Sequence, residues 1–192
     1  MEFKISPENT AVVVIDLQKG ITAFPSAPHN PQDVIHNAVK VIEKARKTNM
    51  PVFLVHVTPS SDFRDALRPD ADNVMAFSNL PADWAEYVTE LNVQPTDIQI
   101  TKRHWGAFYG TELDLQLRRR GIKTILLCGI STNIGVESTA RVAYELGYNQ
   151  VFIEDAMAAR SEEEHTFPLK TIFPRMGKVR STKEVLEAIT EA

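Results

Sequence analysis

Thr-Ala-Val-Val-Val-Ile, residues 10–15, is an unbroken run of small and β-branched residues that ends at Asp16. A run of this kind, without polar alternation, is typical of a strand buried on both faces of a parallel sheet. Similar runs recur at residues 51–57, 97–101, 123–128, 150–154 and 178–180. The pattern therefore predicts about six strands.

Segments with the length and period of helices separate these runs. They span residues 33–48, 111–120, 133–146, 162–173 and 183–189. Alternating strands and helices require crossover connections, which are almost always right-handed and place helices on both faces of the sheet. We predict an α/β fold, a three-layer, doubly wound, Rossmann-like sandwich with about six mainly parallel strands. A single domain is expected over residues 1–192.

Two stretches interrupt this rhythm, residues 19–31 and residues 59–83. Both are rich in Pro, Ser, Asn and Asp, and both are longer than simple turns. We interpret them as candidate active-site loops. The sequence leaves open whether the second is a lid or an arm at a subunit interface.

The composition favours a small-molecule partner. The chain has 192 residues, 43% of them hydrophobic and 24% charged, with a formal net charge of -4. A mildly acidic protein has no general attraction to nucleic acid or to anionic membranes. The basic run Arg118-Arg119-Arg120 ends a predicted helix, where we expect it to favour the helix dipole rather than bind phosphate.

Cys128 is the only cysteine in the sequence, so no internal disulfide and no cysteine-based metal cluster can form. This fits a reducing compartment, and we expect a cytoplasmic location. The sequence shows no secretory signal, and no window approaches the ~20 apolar residues that span a bilayer.

Candidate site residues lie just past the predicted strands, because ligands of open parallel sheets bind outside the carboxyl ends of the strands. Asp16 ends the first strand and Lys102 follows the third. An Asp at the end of a buried strand needs a partner, and this lysine is the natural one. The pair is either catalytic or a structural ion pair, and the residues alone leave both open.

The segment Gly-Ile-Ser-Thr-Asn, residues 129–133, joins the fourth strand to a helix. Its Ser, Thr or Asn side chain is expected to cap the first backbone N–H groups of that helix. Donors at a helix N-terminus can hold a substrate carboxylate or a developing oxyanion. The turn is therefore a candidate anion site.

Three segments together resemble the isochorismatase-like hydrolase superfamily, also called cysteine hydrolases. They are Ala-Val-Val-Val-Ile-Asp-Leu-Gln (11–18), Lys-Arg-His-Trp-Gly-Ala-Phe-Tyr-Gly-Thr-Glu-Leu (102–113) and Gly-Ile-Ser-Thr-Asn-Ile-Gly-Val-Glu-Ser-Thr-Ala-Arg (129–141). The resemblance runs from about residue 9 to the C-terminus. It implies hydrolysis of a small-molecule metabolite and a homo-oligomer, either a dimer or a tetramer.

In amidase members of this superfamily the catalytic triad is Asp, Lys and Cys. The resemblance matches the first two to Asp16 and Lys102 and puts Gly135 at the cysteine position, as in some bacterial members. Glycine has no nucleophile, so covalent thioester chemistry at this position is excluded. Cys128 lies at the end of a predicted buried strand, and we interpret it as a packed, inert thiol.

Isochorismatases proper resemble this chain in having glycine there, and they cleave a vinyl ether. By this resemblance Asp16 would protonate the enol-ether carbon, and water would capture the oxocarbenium ion to give pyruvate and a dihydrodiol. Lys102 would hold Asp16, while N–H groups around Ser131 and Gly135 would orient a substrate oxygen. The resemblance also implies a non-proline cis peptide at Ile130–Ser131.

Further substrate contacts are expected from Gln18, Trp105 and Phe108, although core or interface packing is equally open for the two aromatic residues. We expect no metal and no cofactor, because His56 is followed by Val-Thr-Pro rather than by the Asp-x-His pair of nicotinamidases. Asp155 ends the fifth predicted strand and is interpreted as structural.

Two hypotheses of function follow. The first is a hydrolase that works without a covalent nucleophile, by acid-catalysed hydrolysis of an enol ether. The second is a catalytically inactive member that binds a metabolite or a partner chain in a regulatory role. A decayed site has little physical reason to keep a buried Asp and Lys together, which favours the enzyme. Direct attack of water on an amide ranks below both, because water is a weak nucleophile.

Overall fold

The structure, a computed structural model, describes residues 3–73 and 80–190. Its strands form one sheet in which every pair of neighbours is parallel. They are β1 (Thr10–Ile15), β2 (Val52–Val57), β3 (Ile98–Lys102), β4 (Thr124–Ile130), β5 (Asn149–Ala158) and β6 (Lys178–Arg180). The spatial order is β3-β2-β1-β4-β5-β6.

Helices cover both faces of this sheet. They are α1 (Lys19–Thr22), α2 (Pro31–Lys47), α3 (Leu113–Arg119), α4 (Glu137–Glu145), α5 (Glu162–Phe167) and α6 (Thr182–Ala188). Short 3-10 turns span Pro7–Asn9, Thr89–Leu91 and Phe173–Arg175, and π turns span Thr132–Val136 and Pro168–Ile172. The predicted α/β fold class is confirmed.

Strand β1 supplies both layers of the core. Val12 and Val14 pack with the buried faces of α2 and α6, whereas Ala11, Val13 and Ile15 pack with those of α3 and α4. All six of its residues are buried. A strand with apolar contacts on both faces favours apolar side chains along its length, which explains the apolar run at residues 11–15 after Thr10.

The strand order reverses direction between β1 and β4. Chain connections leave β1 toward β2 and β3 on one side, and they leave β4 toward β5 and β6 on the other. In open α/β sheets the crevice at this switch point, outside the carboxyl ends of the strands, is where ligands bind. The fold therefore places the ends of β1 and β4 at the expected ligand site.

Helix boundaries differ from the prediction near the N-terminus. Helix α2 begins at Pro31 rather than residue 33, because Asn30 accepts a 2.9 Å hydrogen bond from the backbone N–H of Asp33. Asn before Pro is a standard helix start, since proline lacks only a donor that would be unpaired there. Short helix α1 also lies inside the stretch that was expected to be a loop.

Strands β4 and β5 are both longer than predicted. Strand β4 continues through Gly129 to Ile130, and β5 continues to Ala158, so that Asp155 lies within a strand rather than at its end. The structural interpretation of Asp155 is supported, because its Oδ1 accepts hydrogen bonds from the N–H and the hydroxyl of Thr182 at the start of α6.

The predicted helices at residues 133–146 and 162–173 are each divided. The first is a π turn followed by α4, and the second is α5 followed by a π turn and a 3-10 turn. Pro168, which lacks an N–H donor, ends α5. Periodicity of apolar residues does not distinguish a π turn from an α-helix, so the prediction joined them.

The long segment between β2 and residue 83 is described only in part, and residues 74–79 of the candidate loop lie outside the described residues. Within the described part, Asp65 accepts hydrogen bonds from the N–H of Ser60 and from Nε of Arg103, both at 2.7 Å. These bonds tie the segment to the end of β3.

None of the helices in residues 3–73 and 80–190 is long and apolar enough to cross a membrane.

Candidate active site

A buried ion pair joins the ends of β1 and β3. Nζ of Lys102 lies 2.7 Å from Oδ2 of Asp16, and the two side chains are only 2% and 7% exposed. The same Nζ donates to the backbone oxygen of His104 at 3.1 Å. The partner that the sequence predicted for Asp16 is therefore confirmed.

The backbone turns out of the strand at Asp16 itself. Its φ is 54°, in the left-handed region, and its N–H donates to the carbonyl of Val55 at 2.9 Å. Asp and Asn tolerate this region better than other residues with a side chain. After this turn the carboxylate of Asp16 meets Lys102.

Burial dominates the electrostatics of Asp16. Its pKa is raised from 3.8 to about 6, because the cost of burying the charged form exceeds the stabilisation from Lys102. Lys102 is bonded to Oδ2 alone, and Oδ1 is buried without a hydrogen-bond partner among the residues the structure describes. A carboxyl with a pKa near 6 can donate and accept a proton close to neutral pH.

Gly135 lies directly against this carboxylate. A Cβ atom at this position would be 3.0 Å from Oδ2 of Asp16 and 2.9 Å from Cγ2 of Ile15. The carbonyl of Gly135 accepts a 2.7 Å hydrogen bond from the hydroxyl of Thr139. That hydroxyl in turn accepts a hydrogen bond from the N–H of Ala107 at 3.1 Å. Absence of a side chain thus lets the turn approach the Asp16 carboxylate.

Gly135→Ala is expected to lower the free energy of unfolding by about 1–3 kcal/mol, because the added methyl group forces Ile15 or the turn to move. The methyl group would also fill the space beside Oδ2 of Asp16. Chemical denaturation measures the change. Gly106→Ala is the matched control, since its Cβ would be 3.4 Å from the nearest atom. Equal losses in the two variants would contradict the close approach.

Strand β4 approaches β1 closely just before this turn. Gly129 has a φ of 122°, and a Cβ atom on it would lie 2.0 Å from the carbonyl oxygen of Ile15. Only glycine fits both conditions. The next peptide but one, Ile130–Ser131, is cis, as the sequence resemblance implied. The close approach at Gly129 brings the end of β4 beside the end of β1, where Asp16 lies.

The prediction that a side chain caps this turn is wrong for Ser131. Its hydroxyl donates to Oδ1 of Asn133 at 2.8 Å, and it makes no cap bond to the following N–H groups. Those groups use its carbonyl instead, which accepts from the N–H groups of Ile134 at 3.2 Å and Val136 at 3.1 Å. The π turn closes on the backbone, so the side chain is left for other partners.

Residues 10–184 match the family model described as the isochorismatase domain. The chain belongs to the isochorismatase family.

Similar proteins include the isochorismatase family protein YecD of Escherichia coli O157:H7, which is 50% identical over 186 residues, covering 97% of this chain and 99% of YecD. A solved structure of an isochorismatase family protein from Burkholderia thailandensis is 42% identical, with a TM-score of 0.93 over 98% of each chain. The ureidoacrylate amidohydrolase RutB of Caulobacter segnis is 31% identical over 179 residues, covering 79% of this chain and 73% of RutB.

Gln18 of this isochorismatase-family site is completely buried. Its amide nitrogen donates to the carbonyls of Val57 at 3.0 Å and Trp84 at 3.1 Å, and its amide oxygen accepts from the N–H of Val57 at 2.8 Å. These bonds use both amide donors, which favours a role in joining β1, β2 and the segment before residue 88. The predicted contact between Gln18 and substrate stays a prediction.

The two aromatic residues of the family-like segment have different environments. Trp105 is 59% exposed, whereas Phe108 is 7% exposed and stacks on Tyr148 with ring centroids 5.9 Å apart. Trp105 is therefore available to a ligand, and the carbonyl of this residue also lies 3.6 Å from the Cβ position of Gly135. The packing of Phe108 favours a core role, and its substrate contact stays a prediction.

Cys128 is buried in β4, and burial raises the pKa of its thiol to about 12. A thiol that does not ionise near neutral pH is a poor nucleophile. This agrees with the interpretation of Cys128 as an inert core residue and leaves Asp16 as the titratable group nearest to Gly135.

His56 makes protein contacts through both ring nitrogens. Nδ1 is 2.7 Å from the carbonyl of Ala85, and Nε2 is 2.7 Å from the hydroxyl of Thr101. Burial lowers its pKa, and nearby Arg103 and Lys102 lower it further. Across residues 3–73 and 80–190, no cluster of three His, Cys, Asp or Glu side chains could hold a metal ion.

Thr132, Thr139 and His165 also make buried hydrogen bonds near the site. Sequence reasoning considered Thr132 only as a possible helix cap and did not select Thr139 or His165. The bond between Thr132 and His165 and the bond from Ala107 to Thr139 each join residues that are distant in the chain. Hydroxyl residues in a helix start are common, and a single histidine in a short helix carries no pattern. Only the three-dimensional contacts identify their roles.

Proposed function

We propose that this isochorismatase-family hydrolase acts on a small molecule without a covalent enzyme intermediate, with Asp16 as a general acid on an enol ether. The observation that carries the proposal is the buried Asp16–Lys102 pair, 2.7 Å apart, directly beside Gly135. Asp16 follows the carboxyl end of β1, where ligands of open parallel sheets generally bind, and position 135 beside it has no nucleophilic side chain.

The chemistry requires one proton transfer and one water. Asp16 gives its proton to the terminal carbon of a vinyl ether, and the ether oxygen stabilises the resulting cation as an oxocarbenium ion. Water adds to that cation and returns a proton to Asp16. The hemiketal then collapses into a ketone and an alcohol, so atoms and charge balance without a metal or a redox partner.

Lys102 has a second part in this scheme. Its ammonium group donates a hydrogen bond to Oδ2 of Asp16 and so holds that oxygen in place. The charge on Lys102 also stabilises Asp16 once the proton has left. Burial opposes this and keeps the pKa of Asp16 near 6, so the acid remains partly protonated near neutral pH.

Amide hydrolysis is less well supported, although RutB is named an amidohydrolase. Attack on an amide needs an activated nucleophile, and Gly135 supplies none. Cys128 cannot replace it, because the thiol is buried in β4 and its pKa is raised to about 12. Enol-ether cleavage needs an acid rather than a thiolate, which matches the groups present.

Activity is expected to fall as pH rises through about 6. The pKa of Asp16 is raised to about 6, and a general acid works only in its protonated form. The rate constant kcat/KM should therefore drop about tenfold per pH unit well above that value. A pH–rate profile measures this, and a rate that rises between pH 6 and 8 would instead indicate a general base.

The direct test is pyruvate release from isochorismate by the purified protein, run beside a panel of primary amides. Turnover of isochorismate alone supports the proposal. Turnover of an amide alone would overturn it. No turnover on either class would count against enol-ether hydrolysis of this substrate and favour a binding role for the same site.

A further inference from the structure

A buried hydrogen bond anchors the start of the turn that carries Gly135. Thr132, the first residue of the π turn, has its hydroxyl 2.8 Å from Nδ1 of His165. Thr132 is completely buried and His165 is 4% exposed. Because His165 belongs to α5, this bond connects the helix after β5 to the end of β4.

The environment keeps His165 neutral. Burial, together with a smaller effect of His29, whose ring meets it edge-on at 5.6 Å, lowers the pKa of His165 to about 4. A neutral imidazole has one nitrogen that donates and one that accepts, so it forms a stable bond with a hydroxyl group. This bond to Thr132 therefore persists across the neutral pH range.

The turn is held at two positions. At its start, Thr132 is bonded to His165, and toward its end the carbonyl of Gly135 is bonded to Thr139. Backbone bonds to the carbonyl of Ser131 close the turn between them. If the bond at Thr132 were lost, the start of the turn would be free to shift while Thr139 still held its end.

We infer that His165 is a positioning residue for the Asp16 carboxyl: through Thr132 it holds the turn that packs against Oδ2 of this carboxyl and shields that oxygen from bulk water. Gly135 lies so close to Oδ2 of Asp16 that a small displacement of the turn would open a path for water. The catalytic meaning of this role rests on the proposed function, but the effect on Asp16 itself does not.

The test compares Thr132→Val with Thr132→Ser. Valine keeps the shape of threonine and lacks the hydroxyl, whereas serine keeps the hydroxyl. The first readout needs no substrate: the Asp16 carboxyl is titrated by carbon NMR of aspartate-labelled protein, and Asp16→Asn identifies its signal. Hydration favours the charged carboxylate, so Thr132→Val should lower the pKa of Asp16 by about one unit, and Thr132→Ser should leave it nearly unchanged.

The second readout is kcat for pyruvate release from isochorismate. Thr132→Val is expected to lower kcat about tenfold with little change in KM, because a misplaced turn affects the reacting geometry. His165→Asn, whose amide can stand in for Nδ1, should retain most of the activity, and His165→Leu should not. The histidine pair also makes the comparison if Thr132→Val does not fold.

An unchanged Asp16 titration in folded Thr132→Val or His165→Leu would overturn the positioning role, whatever the substrate. A lowered Asp16 pKa in both variants, with no turnover of isochorismate by the unmodified protein, would count against the proposed function and support the positioning role. A lowered pKa together with lowered kcat would support both.

Discussion

Asp16→Asn is expected to lower kcat for pyruvate release from isochorismate by about a thousandfold, because it removes the group that donates the proton. Asparagine has nearly the same shape, and it also tolerates the φ of 54° found at this position. The backbone at the end of β1 should therefore be preserved. Steady-state kinetics measure the loss, and circular dichroism checks that the variant is folded.

Asp114→Asn is the matched control for this change. Asp114 is a partly exposed carboxylate that pairs with Arg118 at 3.1 Å and accepts a hydrogen bond from Tyr148 at 2.7 Å. Asp114 lies at the start of α3. The activity of Asp114→Asn should stay within about twofold of that of the unmodified protein. If Asp16→Asn kept more than a tenth of the activity, the proton donor would be another group.

Lys102→Met is expected to lower the free energy of unfolding by about 3–5 kcal/mol at pH 8, because it leaves Asp16 buried without its partner. Methionine fills a similar volume with an apolar chain, so the main loss is electrostatic. Lys102 lowers the pKa of Asp16, and its removal should therefore raise that pKa above the present value of about 6. Urea unfolding at fixed pH measures the change in stability.

The loss should be smaller at pH 5 than at pH 8. The folded pKa of Asp16, about 6, is above its ordinary value of 3.8, so the folded protein binds this proton more tightly. The stability that this proton contributes is complete below about 3.8 and is lost as pH rises through the folded pKa. In Lys102→Met the folded pKa of Asp16 is higher. The variant therefore loses more stability above pH 6 than the unmodified protein does.

Lys19→Met provides the comparison for this prediction. Lys19 pairs with Asp83 at 3.2 Å and with Glu86 at 2.7 Å, but all three side chains are well exposed. Exposed pairs contribute little to stability, so we expect a much smaller change than for Lys102→Met. Equal losses for the two lysine variants, or a Lys102→Met loss that does not grow with pH, would contradict the buried-pair interpretation.

Much of the sheet could be predicted from residue patterns. The continuous apolar run at β1 is required because that strand packs on both faces, and the same constraint applies to the other central strands. Polar residues at strand ends predicted the pairing of Asp16 with Lys102, since parallel strands bring their carboxyl ends to one edge. These features follow from local burial and from the handedness of crossovers.

Other features of the site could not be predicted in the same way. Phe108 and the exposed Trp105 lie three residues apart in one motif, yet only the first is stacked on Tyr148 in the core. Gln18 follows the Asp16 motif and bonds to backbone groups of Val57 and Trp84. Which partner each side chain meets depends on where distant segments are placed.

The sequence by itself determined the α/β fold class, the alternation of strands and helices, and the presence of an acid and a lysine at neighbouring strand ends. Three features were decided only by the tertiary structure. Burial raises the pKa of Asp16 by more than Lys102 lowers it, Gly135 lies against Oδ2 of Asp16, and His165 bonds to Thr132. Apolar periodicity reports how each segment is buried. Desolvation and hydrogen bonds depend on the distances between atoms of different segments, which packing alone sets.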